Sequence, residues 1–116
     1  MLEKRIYDLL PDSLPKVIGD LPSTASNAVA IMAYDGVAGD AYFHFGAVFA
    51  PTIKIVVRNN SYEEAQLQIL DIRQALHRHT DEYFLSIMLR GYPIYLGRDE
   101  QKFHEFQIVF NVQVKE

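Results

Sequence analysis

The chain has 116 residues and no cysteine, with 15 acidic against 11 basic side chains and a net charge of −4. That length suits one domain spanning 1–116, and a hydrophobic share of 49% supports a buried core rather than disorder. The missing cysteines exclude disulfides and thiolate metal sites and permit an intracellular protein, while the acidic balance argues against nucleic-acid phosphates as the main ligand.

Residues 3–18 read as a short N-terminal helix disturbed by Pro11 and Pro15. Ile6, Leu9 and Leu10 form its apolar face, with Leu14, Val17 and Ile18 after the break. Proline lacks a donor and clashes with the preceding turn, so two short helical pieces are expected. The opening Met1-Leu2-Glu3-Lys4-Arg5 leads into no apolar stretch of the signal-peptide kind. Residues 20–27 carry Asp20, Pro22, Ser23, Ser26 and Asn27 and read as a loop. Ala28 to Tyr34 is nearly continuously apolar, which predicts a strand covered on both faces.

The segment 35–50 combines three glycines with Tyr42, Phe43, Phe45 and Phe49. Glycine loosens the backbone, whereas aromatic rings resist exposure to water. Such a loop either orders against a partner or folds back on its own core, with a short strand at 42–49.

Ile53, Ile55 and Val57 alternate with Lys54, Val56 and Arg58, which is a strand period. Asn59-Asn60 ends that strand. Ser61 then offers an N-cap hydroxyl, with Glu64 at the N3 position of a capping box. The helix so started is expected over 62–79. Tyr62, Ala65, Ile69, Ile72 and Leu76 make its apolar stripe, and Leu67 and Leu70 widen the buried face. Glu63 and Glu64 in the first turn, and His77, Arg78 and His79 in the last, complement the helix dipole.

Three strands follow. Leu85, Ile87 and Leu89 alternate in the first, and Tyr92, Ile94 and Leu96 in the second. Phe106, Ile108, Phe110, Val112 and Val114 make the last the cleanest half-buried strand. Pro93 implies an edge or a bulge, and residues 97–102 suit a hairpin connection. The fold class is therefore α+β. We expect an antiparallel or mixed sheet of four to five strands, with one long helix packed on one face and a short N-terminal helix. The outer sheet face is left with Val56, Met88, Tyr95 and Val109 among polar residues.

Chemistry-bearing patterns are sparse. His77 and His79 stand two apart on a helix, so they point about 200° apart and cannot share a metal. His44 with Asp35 and Asp40 lacks a nucleophile and a rigid scaffold. His104 and Glu105 are adjacent on a strand and face opposite sides. Asp99-Glu100 offers too few ligands for calcium. No catalytic residue, metal site or cofactor is expected. No apolar run approaches the ~20 residues of a membrane helix.

Two stretches carry a family resemblance. Pro51-Thr52-Ile53-Lys54-Ile55-Val56-Val57-Arg58 leads into Ser61-Tyr62-Glu63-Glu64-Ala65, and Gly91-Tyr92-Pro93-Ile94-Tyr95-Leu96-Gly97-Arg98-Asp99 follows later. They resemble the strand, arginine and SY-x-x-A helix start, and the G-x-P-x-x-L-G-x-D segment, of the tail-terminator and minor capsid proteins of long-tailed phages and prophages. Phe106 to Val114, with Asn111 inside, resembles that family's final strand. The similarity spans roughly residues 5–114, although segment 35–50 has no counterpart in the pattern.

The resemblance implies a non-enzymatic virion protein of the tail or neck, assembled in the host cytoplasm. It implies a homo-oligomeric ring, usually a hexamer, that caps the tail tube protein and meets the head connector protein. DNA would pass through without specific binding, and no membrane is involved. Contacts are expected from Tyr42, Phe43, Phe45, Phe49, Val56, Tyr95 and Val109. The competing reading is a small enzyme or ligand-binding domain with a pocket walled by Tyr34, Tyr42, Phe43, His44 and Phe49.

Overall fold

A computed structural model describes residues 2–23, 25–34, 48–98 and 102–115. In chain order the elements are α1 (Leu2–Leu9), β1 (Lys16–Ile18), β2 (Ala28–Tyr34), β3 (Val48–Phe49), β4 (Thr52–Asn59), α2 (Tyr62–Leu76), β5 (Phe84–Leu89), β6 (Ile94–Arg98) and β7 (His104–Lys115). The α+β class holds. The expected four to five strands are corrected to seven among the described residues, in one mixed sheet.

The difference in count has a geometric origin. β7 is 12 residues long, and its neighbours are shorter. On one flank β4 pairs with 104–111 and β3 with 114–115. On the other flank β6 pairs with 104–107 and β5 with 110–114. Two strands laid end to end on each flank fill one row apiece. The path then runs outward from β4 to β2 and from β2 to β1. Only β1 with β2 is parallel among these pairs.

α1 is the first of the two helical pieces expected over 3–18. The second piece is a correction: residues 16–18 form β1 instead. Pro15 has no N–H, and its carbonyl accepts from Val29 N–H at 3.0 Å, so the chain leaves the turn already in strand register. Lys16 ties the two elements together. Its Nζ donates to the carbonyls of Tyr7 and Leu10, both at 3.1 Å, and lies 4.3 Å from the Tyr7 ring centroid. A cation at these terminal carbonyls also suits the helix dipole.

The start of α2 follows the sequence. Ser61 Oγ accepts from Glu64 N–H at 3.2 Å. The N–H of Ser61 itself donates to Asn59 Oδ1 at 2.9 Å, a bond that the capping-box reading assigns to Glu64. The end of α2 is corrected from residue 79 to Leu76. Arg78 adopts φ 69°, a left-handed backbone that ends the helix, and its N–H donates to Ile87 O at 2.7 Å. The basic residue in the last turn is therefore Arg73.

The two described helices pack on one sheet face. Ile69, Ile72, Phe106, Ile108 and Phe110 are all buried there, as expected. Ile6, Leu10 and Leu14 join the same core. Leu67 and Leu70 do not widen the buried face: they are 60% and 45% exposed. Tyr62, placed on the apolar stripe, is also substantially exposed. The stripe that reaches the sheet is narrower, Ala65, Ile69, Ile72 and Leu76.

The opposite face has its own anchor. Arg58 and Glu105 are register partners on β4 and β7. Arg58 Nη1 donates to Pro22 O at 2.6 Å and to Ala25 O at 3.3 Å. These bonds hold part of the 20–27 loop against the end of β4. On the core-face side of that end, Asn59 Nδ2 donates to Asn27 Oδ1 and Gln68 Oε1, at 3.3 and 3.1 Å.

Candidate assembly interface

The exposed apolar side chains concentrate around β6 and the neighbouring side of α2. Ile94, Tyr95 and Leu96 are three successive strand residues and all are exposed. A half-buried strand would alternate. Here the pattern fails because β6 pairs only with β7 among the described residues, and its register shifts between Tyr95 and Gly97. Gly97 takes φ 94°, which an L side chain rarely adopts. Pro93, just before the strand, removes one N–H from this edge. Tyr92 is 88% exposed.

Between this edge and α2 lies a groove of about 540 Å³. Tyr62, Leu70 and Arg73 line it from the helix, and Tyr92, Pro93 and Tyr95 from the β6 side. Ile69 and Phe106, both buried, connect it to the core. The walls are held by ring contacts. Tyr62 meets Tyr95 edge-on at 5.3 Å between centroids, and Phe106 lies 5.2 Å from Tyr62 and 4.9 Å from Tyr95. A hydrogen bond of 2.8 Å joins the Tyr95 hydroxyl to His104 Nδ1. Such a groove offers flat aromatic area and one cation, which suits contact with a polypeptide surface.

The residues expected to make contacts are scattered. Tyr42, Phe43 and Phe45 lie outside the described residues, as does His44 of the competing pocket. Phe49 falls in β3, at a backbone position paired with Val114. Val56 is on the outer face but buried at 7%. Val109 is on the outer face and half-buried. Tyr95 is a correction of face: it is register partner to the core residue Phe106 and packs toward α2. Met88 does lie outward, beside Asn111.

The sequence reading missed Leu70, Arg73 and Tyr92 as surface. The signal was present. Leu70 sits off the helix stripe, and residues 92–96 are apolar without true alternation.

His77, His79, Asp81, His104 and Glu105 each make local contacts. His77 Nδ1 accepts from Leu89 N–H at 3.0 Å. Asp81 Oδ1 accepts from Phe84 N–H and Tyr83 N–H at 2.7 and 2.8 Å, and Oδ2 lies 2.7 Å from His79 Nε2. The Phe84 N–H, followed by the His79 ring, holds the Asp81 carboxyl below its ordinary range. His104 and Glu105 face opposite sides, to Tyr95 and Arg58 respectively. Among the described residues no three metal-ligating side chains converge.

Residues 3–116 match the family described as bacteriophage tail terminator protein. The chain belongs to that family. The resemblance of its strand–helix junction and its 91–99 segment to tail terminators is thus borne out. This tail-terminator chain is a phage tail structural protein. A solved chain from the virion of a native gene transfer agent particle is similar in fold, with a TM-score of 0.69 at 16% identity, covering 96% of this chain and 92% of that one. No curated protein matches the chain.

Proposed function

We propose that this terminator-family chain acts as one domain, closes into a ring of six copies at the end of the tail tube, stops tube growth and presents a surface to the head connector. The observation that carries this reading is the exposed aromatic and aliphatic surface along β6 and α2, in a chain whose family is structural. Apolar area of this kind contributes roughly 25 cal/mol per Å² when buried, less the cost of ordering the partners.

The ring sits in the virion neck after assembly in the host cytoplasm. Loop 35–50, with Tyr42, Phe43, Phe45 and Phe49, and outer-face Val109 add contact area to the Tyr95 surface. Val56 adds little, being buried already in the subunit. DNA passes through a neutral to acidic channel without specific binding, in keeping with the net charge of −4.

The test adds purified chain lacking residues 37–47, beside the intact chain, to growing tails. The intact chain stops tails at normal length and lets them join heads, and the shortened chain does neither. Normal tails with the shortened chain would remove the loop from assembly. Electron microscopy that finds no ring of this chain on finished tails would remove the function itself.

A further inference from the structure

Resting on the ring reading, we propose that neighbouring copies join by antiparallel pairing of the β1 edge of one copy with the β6 edge of the next. The two edges stand at opposite ends of the sheet. Among the described residues β1 pairs only with β2, and β6 only with β7. Gly19 N–H donates to Ile31 O and Val29 N–H to Pro15 O. Odd-numbered residues of this stretch therefore bond inward to β2. By strand alternation, the N–H and C=O of Ile18 point away from the sheet.

Strand direction makes the two edges compatible. β1 is parallel to β2, β2 antiparallel to β4, β4 to β7, and β7 to β6. β1 and β6 therefore run in opposite senses within one subunit. Copies arranged side by side with their helices on the same face bring β6 against β1 antiparallel, the favoured geometry for short strands. The contact uses two different patches, so it is heterologous and propagates around an axis.

Charge selects the same pairing. Acidic side chains flank β1: Asp12 before it and Asp20 after it, both exposed. Basic side chains flank β6: Arg73 and Arg90 near its start and Arg98 at its end, all exposed and without an ion pair among the described residues, while Asp99 and Glu100, next in sequence, lie outside the described residues. Antiparallel pairing sets Asp12 against Arg98, and Asp20 against Arg73 or Arg90. The cation of β1 itself, Lys16, has its Nζ 3.7 Å from Asp12 Oδ1, but the Asp12 side chain stays fully in solvent and open to a second cation. Lys16 folds its ammonium onto the end of α1, leaving its side chain 5% exposed. Between the charges, Ile18, 41% exposed, meets Tyr95 and Leu96.

The absence of native cysteine makes a direct test available. Ile18→Cys is combined in one chain with Ile94→Cys, Tyr95→Cys or Leu96→Cys in turn. Each chain is assembled on growing tails, and the tails are purified and oxidised. Antiparallel neighbours hold facing Cα atoms about 4.5–5.5 Å apart, within disulfide reach. We expect at least one pair to give a ladder of linked species ending at the closed ring. Arg98→Glu should cut incorporation into tails at least tenfold, and Asp12→Arg in the same chain should restore it.

A ring visible by electron microscopy with no linked ladder from any pair would overturn the edge pairing and leave the ring standing. Bonds from these cysteines to a different tail protein would overturn it too, by assigning the edge to that partner. No ring at all would overturn the ring reading and the pairing with it.

Discussion

Arg58 and Glu105 face each other across β4 and β7, with Nε and Nη2 each 2.9 Å from the same carboxylate oxygen. The arginine side chain is 10% exposed and the glutamate 20%, so neither has free access to water. Arg58 also bonds the carbonyls of Pro22 and Ala25. One guanidinium thus joins two strands to the loop that precedes β2.

Arg58→Met is expected to lower stability by about 3 kcal/mol, the range for breaking a buried pair. Arg58→Lys should recover only part of it, since an ammonium cannot reproduce the planar fork of donors. Urea titration gives both values. An unchanged midpoint for Arg58→Met would show that the pair contributes nothing net.

The two sides of α2 should respond oppositely to charge. Ile72 is fully buried, so Ile72→Asp places a carboxylate among apolar side chains and prevents cooperative folding. Leu67 is 60% exposed, so Leu67→Asp should stay within about 0.5 kcal/mol of the parent. Thermal melts by circular dichroism separate the cases. A stable Ile72→Asp protein would contradict the helix face.

Asp81 supplies an acid-sensitive contribution. Its folded carboxyl titrates below the ordinary 3.8, chiefly because Phe84 N–H bonds the charged form. The group therefore stabilises the fold above that value, and the contribution is lost as pH falls through the depressed pKa. Asp81→Ala should cost about 1 kcal/mol at neutral pH, kept modest because the side chain is exposed to solvent. The gap between parent and variant should narrow as the pH is lowered below 3.8. A gap that widened with acid would reverse the assignment.

Replacing His44, His77, His79 or His104 singly with alanine should remove no bound metal. For His77 and His79 the reason is their spacing. His77→Ala is still expected to cost about 1 kcal/mol, because Leu89 N–H loses its acceptor. Elemental analysis beside denaturation tests both halves. Stoichiometric zinc lost with one of these histidines would contradict the structural assignment of these side chains.

Local grammar was legible where one residue decides the conformation. Ser61 starts α2 because its hydroxyl is placed before a free N–H. The alternation of β7 announces its buried face because both faces differ strongly in polarity. What escaped depends on partners far along the chain. β1 reads as a helix remnant, since Pro15 and Lys16 become strand only through Val29 and the end of α1. The early stop of α2 is set by Ile87 across the turn, with no glycine to mark it. The groove at β6 required knowing that Tyr95 faces the helix, and the register shift at Gly97 hides that from simple alternation.

The position of β7 as the last strand in chain order bears on how the protein is made. β3, β4, β5 and β6 all hydrogen-bond to it. On the ribosome, β5 and β6 must wait without a strand partner until β7 emerges, while β2 and β4 can already pair with each other. Such non-local closure is slow compared with helix formation, and the waiting edges are open to wrong partners. Synthesis rate and chaperone supply therefore bear on the yield of competent subunits, before any tail is there to receive them.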